Sequence, residues 1–303
     1  MNRGWGGKVH SVQPGEGWVR RLVAFSLRLR RAWLRCCRPQ YVQRMAALRL
    51  GDCPDCAHDV IDGHDLLWVQ NVCGYRLPAA HTVPPFRDRW GLVRLGRPEL
   101  LLALLVSVAL VVGLLCWQPW LAVLGAVPIA FTVWFFRDPE RAIPAGDDVV
   151  VAPADGLVDD VRREAQCEFF DGPAVRVGIY LSVFDVHVNR APIAGVVTRC
   201  EYRPGRKVPT VRRGFTDANE QLVTWFTGVV PHAVVRQIAG PFARRVCSVL
   251  GVGDRVLCGE RFGLIKFGSR TELWLPDDGR LVVGVQMGQR VRGGATVVGR
   301  WRL

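Results

Sequence analysis

Gly259-Glu-Arg-Phe-Gly-Leu-Ile-Lys-Phe-Gly-Ser-Arg-Thr-Glu-Leu-Trp-Leu-Pro276 places two short apolar runs, residues 264–267 and 273–275, on either side of a Gly268-Ser269 step. Glycine reaches backbone angles closed to other residues. The pattern therefore reads as strand, bend, strand, with the Ser269 hydroxyl held beside the Gly268 carbonyl. Gly-Ser pairs also occur in plain bends and β-bulges, and the stretch alone leaves that reading open. The rest of the chain decides.

Around this stretch the chain is written in short β-branched runs, at residues 149–151, 175–181, 196–197 and 281–283. Gly and Pro divide them at Pro153, Gly156, Gly172-Pro173, Pro192, Gly195, Pro204-Gly205 and Gly240-Pro241. Such punctuation, with little 3.6-residue periodicity, predicts a mainly β domain over residues 137–303. Residues 152–158 and 288–297 resemble the turns of barrel-sandwich folds, including lipoyl carriers. No lysine sits at a carrier-type hairpin tip, so that likeness concerns the fold alone.

Before this domain stands an apolar block. Residues 100–116 and 120–136 are runs of 17 residues each, separated by Trp117-Gln118-Pro119. As helices they would be roughly 25 Å long, at the lower limit for a hydrocarbon core of about 30 Å. Two short spans and a hairpin dipping into one leaflet both fit, as does a buried helical pair in a soluble core. Arg89, Arg94 and Arg97 precede the block and Arg137 and Arg141 follow it. Positive flanks predict a membrane hairpin over residues 98–136 with both ends, and the β domain that follows, on the cytoplasmic side.

Residues 1–97 read as a basic, weakly ordered extension. Residues 1–98 hold 16 Lys/Arg against 7 Asp/Glu, the larger part of the +13 formal charge. Residues 19–37 form a basic helix pattern with Leu22, Phe25, Leu29 and Trp33 near one face, suited to an anionic lipid surface and superficially like a transit peptide. The aromatic residues make no RNA-binding signature, so a membrane is expected and nucleic acid is not. The ten cysteines are scattered, without a secreted disulfide framework, which points to a reducing compartment. Cys53 and Cys56, with His58, His64 and Cys73, are metal-ligand types, but the second pair is ragged and no metal is assigned.

Three side chains supply the parts of an activated nucleophile: Asp155 in Pro-Ala-Asp-Gly, His187 in Phe-Asp-Val-His-Val-Asn-Arg, and Ser269. An imidazole can take the hydroxyl proton while an acid orients the base. Each also has an ordinary structural reading, as a turn carboxylate, a strand histidine and a bend serine. No Gly-x-Ser-x-Gly elbow supports a serine hydrolase. A membrane-tethered barrel-sandwich binding module stays open as the non-catalytic alternative.

Taken in order, Phe135-Phe-Arg-Asp-Pro-Glu-Arg141, Ala152-Pro-Ala-Asp-Gly156, Phe184-Asp-Val-His-Val-Asn-Arg190, Asn219-Glu220, Gly259-Glu-Arg-Phe-Gly-Leu-Ile265 and Phe267-Gly-Ser269 resemble the phosphatidylserine decarboxylases, in particular their short bacterial and archaeal-type members. The resemblance covers about residues 98–303. Phe-Gly-Ser-Arg stands where longer members have Leu-Gly-Ser-Thr, and Gln221 replaces the Arg expected after Asn219-Glu220.

The resemblance implies a zymogen that cuts itself between Gly268 and Ser269 into a β chain and an α chain of the last 35 residues. Ser269 would become a covalent pyruvoyl group, the electron sink that pyridoxal phosphate provides elsewhere. Asp155 and His187 would activate Ser269, and His187 would later donate the proton that replaces the carboxylate. The implied substrate is phosphatidylserine in the membrane, converted to phosphatidylethanolamine and CO2. Asn189, Arg190 and Arg203 are the candidates for binding it, guanidinium being suited to phosphate. A homo-oligomer is compatible with this reading.

Overall fold

The computed structural model describes residues 18–51, 59–66, 75–81, 86–206, 208, 215–228, 232–240, 245–266 and 269–302. Cys53, Cys56, His58, Cys73 and Gly268 lie outside the described residues. The chain forms two compact units, Pro84–Glu140 and the remainder, Met1–Val83 with Arg141–Leu303.

Near the N-terminus the expected basic helix is α1 (Trp18–Cys37), followed by α2 (Pro39–Leu48) and the single turn α3 (Gly63–Leu66). Leu27, Leu34 and Met45 are buried there. In the unit Pro84–Glu140, α4 (Arg97–Trp117) is apolar on all sides, and most of its leucines and valines are exposed. The helical stretch Arg94–Trp117 is long and apolar enough to cross a membrane.

The second apolar run is not one continuous α-helix. It starts as a 3-10 segment, Pro119–Ala126, and becomes α-helical only in α5 (Val127–Phe135). Pro119 and Pro128 explain the break, since proline suits a first helical turn and lacks the N–H that a helix interior needs. The run folds back on α4, where the Ser107 hydroxyl accepts from the Ile129 N–H at 3.2 Å.

The rest is mainly β. In chain order the strands are β1 (Val149–Val151), β2 (Gly156–Glu164), β3 (Ala174–Leu181), β4 (Val188–Arg190), β5 (Gly195–Arg203), β6 (Gln221–Thr227), β7 (Ala233–Ala239), β8 (Arg245–Ser248), β9 (Arg255–Val256), β10 (Arg261–Lys266), β11 (Ser269–Pro276), β12 (Leu281–Val283), β13 (Arg290–Val291) and β14 (Val297–Trp301). Eight of them make one curled antiparallel sheet, ordered β13-β2-β3-β11-β7-β6-β5-β9. Two three-stranded sheets, β1-β14-β12 and β4-β10-β8, complete a barrel-sandwich-like domain.

Alternation sets the two faces of the large sheet. One face carries Val175, Val177, Ile179, Leu181, Val235, Leu273 and Leu275 into the main core. The other carries Trp225, Val234 and Trp274, packed against Phe169 and Phe170. β10 and β11, adjacent in sequence, belong to different sheets. β10 ends at Lys266 in one sheet and β11 begins at Ser269 in another.

Candidate active site

Ser269 opens β11, between Leu181 of β3 and Ala239 of β7. Its side chain is wholly buried, and among the described residues its hydroxyl has no hydrogen-bond partner. A buried polar group left unpaired costs about 1–3 kcal/mol, so native folds keep few of them. The core face of β11 is polar at Ser269 and Thr271 and apolar at Leu273 and Leu275. Polarity is confined to the start of the strand.

His187 is fully buried just before β4. Its Nδ1 lies 2.9 Å from the Asp185 carbonyl. A carbonyl only accepts, so Nδ1 carries the proton and Nε2 keeps the lone pair that a base needs. The Asp185 carboxylate closes the preceding turn, accepting from the Ser182 N–H at 2.8 Å, and pairs with Arg290 at 3.0 Å.

Asp155 lies in the turn before β2. Its carboxylate takes Arg141 at 2.6 Å and the Gly293 N–H at 2.8 Å. Burial pushes its pKa above the ordinary carboxylate value, against the opposing pull of Arg141 and the Gly293 N–H. The glycine of Pro-Ala-Asp-Gly is dictated by space, because a Cβ on Gly156 would sit 2.2 Å from the Tyr180 carbonyl oxygen. The hydrogen bonds of Asp155 thus serve Arg141 and the turn at Gly293.

Asn189 joins the two reactive strands. Its Nδ2 donates to Thr271 Oγ1 at 3.0 Å and reaches the Pro153 carbonyl at 3.4 Å. Its Oδ1 accepts from Gln237 Nε2 at 2.7 Å. Asn189 is two residues after His187, Thr271 two after Ser269, and Gln237 two before Ala239, the cross-strand neighbour of Ser269. In strands that spacing returns to the same face. This fully buried relay therefore fixes β4, β11 and β7 against one another, two residues along the chain from Ser269 and from His187. Gly263 makes room for it, since a Cβ there would stand 2.6 Å from Gln237 Nε2.

Arg190 is buried, donates to the Gly259 carbonyl at 3.0 Å and is close enough to Asp155 to act on its charge. Arg203 stands apart. Pairing in register with Gln221, it is on the sheet face opposite to Ser269, three strands over, or about 14 Å at the usual strand spacing. Glu201 at 2.9 Å and Glu168 at 2.8 Å hold its guanidinium. Gln221 accepts from Arg236 Nε at 2.8 Å, so a guanidinium from β7 fills the space beside Asn219-Glu220.

Arg141, Gln237 and Thr271 escaped the reading of single motifs. One signal for Gln237 was present, a polar Arg-Gln pair inside the apolar run Ala-Val-Val-Arg-Gln-Ile-Ala.

Fold and function together are those of a mainly β enzyme of barrel-sandwich type. A model of the family described as phosphatidylserine decarboxylase matches residues 129–299. The chain is 47% identical over 180 residues to a phosphatidylserine decarboxylase proenzyme of Symbiobacterium thermophilum, covering 59% of this chain and 82% of that one. It is 42% identical over 181 residues to one of Carboxydothermus hydrogenoformans, covering 60% and 84%. A third, of Rhodopirellula baltica, is 42% identical over 222 residues, covering 72% and 91%. The chain belongs to the phosphatidylserine decarboxylase family.

Proposed function

We propose that this enzyme decarboxylates phosphatidylserine to phosphatidylethanolamine, using a pyruvoyl group that it makes from Ser269 by cutting its own chain after Gly268. The observation that carries the reading is the wholly buried Ser269 hydroxyl, without a hydrogen-bond partner among the described residues, on the first residue of a strand. A hydroxyl kept dry and unpaired is a poor structural element and a good precursor of a reactive group. It fits a small carbonyl group at the same position, shielded from water.

In self-cleavage the Ser269 oxygen attacks the Gly268 carbonyl carbon. The amide C–N bond breaks, an ester forms, and the Ser269 nitrogen becomes a free amine. His187 Nε2 takes the hydroxyl proton, its ring held by the Nδ1 bond to Asp185. Loss of the α-proton then expels the Gly268 carboxylate. Water replaces the nitrogen of the resulting dehydroalanine as ammonia, leaving the pyruvoyl end. Asp155 and Arg141 fix the neighbouring turn, and the Asn189–Thr271–Gln237 relay holds the reacting strands in place.

The pyruvoyl carbonyl supplies an electron sink for the pair released with CO2. In turnover His187 serves as the proton donor, and Arg190, next to Asn189 in β4, is the candidate for the lipid phosphate. α4 supports attachment to the membrane that carries the substrate, and the arginines flanking the apolar block favour the cytoplasmic side for the catalytic domain.

Intact mass and a denaturing gel of the purified protein test the reading. Wild type should give two chains, the smaller starting at position 269 and lacking an amino-terminal amine. Ser269→Ala should give one full-length, inactive chain. Cutting of Ser269→Ala at the same bond would defeat the proposal.

A further inference from the structure

Helix α1 has two different faces. Leu27 and Leu34, one heptad apart, are buried. Beside them Arg30 pairs with Asp62 at 2.6 Å and Arg31 with Asp65 at 3.1 Å, and Tyr41 donates to Asp62 at 3.0 Å. Asp62 and Asp65 are themselves buried, so these pairs fasten the helix to its own segment.

The opposite face is largely exposed, with the Arg38 guanidinium over the Trp33 ring at 5.5 Å. Phe25, Leu29 and Trp33, spaced by four residues, are 58%, 56% and 51% exposed. That spacing lines them up along one stripe. Arg21, Arg28 and Arg35, one heptad apart and all exposed, form a second row that flanks the stripe near Phe25 and diverges from it towards Trp33, with Arg35 also paired to Asp59. The helix contains no acidic residue.

We propose that this face of α1 is a second membrane contact, lying in the headgroup region of a bilayer that contains anionic lipid. Two features together select the partner. The arginine row asks for negative charge, and the Phe-Leu-Trp stripe asks for hydrocarbon at its edge; an anionic bilayer surface offers both. Nucleic acid offers the charge without the hydrocarbon. Aromatic residues at the interface and arginines reaching to phosphates are the usual arrangement there. The inference rests on α1 alone and is independent of the chemistry at Ser269.

The exposed thiol of Cys36, three residues beyond Trp33, is a built-in reporter. The full-length protein is placed in lipid nanodiscs of phosphatidylcholine alone or of phosphatidylcholine with phosphatidylglycerol. Alkylation of Cys36 by a charged, membrane-impermeant maleimide is then followed by peptide mass spectrometry. Anionic discs should slow alkylation by about tenfold, and high salt should weaken the effect.

The triple variant Arg21→Gln/Arg28→Gln/Arg35→Gln should lose protection, at about fivefold in binding per arginine. Phe25→Ser/Leu29→Ser/Trp33→Ser should lose it as well. All six residues are exposed, and continued protection of the buried Cys200 and Cys247 reports an intact fold. Equal alkylation in the two kinds of disc would overturn the proposal. So would protection that survives the arginine changes, or equal protection by an oligonucleotide in lipid-free detergent.

Discussion

Replacing Thr271 by valine removes one oxygen and keeps the shape of the side chain. That oxygen accepts from Asn189 Nδ2 at 3.0 Å, and without it the donor has only the Pro153 carbonyl at 3.4 Å. Both residues are fully buried, so water cannot take its place. Leaving such a donor short of a partner costs about 1–3 kcal/mol. Serine makes the opposite exchange, keeping the acceptor and giving up one methyl, at about 1 kcal/mol.

The valine penalty can surface in two places. If β4 and β11 hold, it remains in the fold and lowers stability. If they shift to relieve it, His187 and Ser269 move with them, and self-cleavage slows by about fivefold per kcal/mol. Thermal unfolding, measured in an uncleavable Ser269→Ala background, reads the first. The time course of two-chain formation in freshly made precursor reads the second. Thr271→Val should lose more than Thr271→Ser across the two readouts. Wild-type behaviour of Thr271→Val in both would refute the positioning role, and a greater loss in Thr271→Ser would assign it to packing.

His187→Ala should stop self-cleavage, with added imidazole restoring it; once cut, that variant should bind substrate yet release product slowly. Uncut precursor that imidazole fails to rescue would argue against His187 as the base. Asp155, whose pKa burial raises, binds a proton more readily folded than unfolded. This stabilises the fold most below the unfolded value, near pH 4, and the contribution fades as pH rises through the higher folded pKa. The melting temperature of wild type relative to Asp155→Asn should therefore climb as pH falls from 7 towards 4, and a flat or opposite trend would contradict the assignment. Removing residues 100–136 should move the β-rich domain into the soluble fraction at high salt, where the contact proposed for α1 is screened; sedimentation with vesicles under those conditions would show that the apolar block is not the main anchor.

The motifs that hold the candidate residues stood out because the backbone there needs unusual residues. Gly156 gives way to a carbonyl of β3, and Gly263 to the Gln237 amide, so the motifs around them carry both turn and chemistry. Thr271 had no such flag, and Gln237 only the polar break in an apolar strand. Their role comes from a hydrogen bond to Asn189, 82 and 48 residues away, and distant pairing leaves no local pattern. Arg203 shows the reverse. Its place before Pro204-Gly205 suggested a site, but register turns it to the far face of the sheet, towards Glu168 and Glu201. The mainly β fold followed from Gly and Pro punctuation, whereas the 3-10 start of the second apolar run depended on two prolines that hydrophobicity alone does not weigh.

Residues 269–303 contribute β11, β12, β13 and β14 to the fold, and β11 is hydrogen-bonded along both edges, to β3 and to β7. A cut at position 268 would leave the smaller chain woven through two sheets, with its β11 and β14 held on both sides. Folding would then have to precede cutting. In the precursor, the covalent link keeps the last strands at a high effective concentration beside their partners. Once that link is gone, unfolded enzyme would have to bring two separate chains together, and recovery would become a bimolecular event that slows with dilution. The proposed self-cleavage would thus be a step taken only once, after which the native state would be kept but not readily regained.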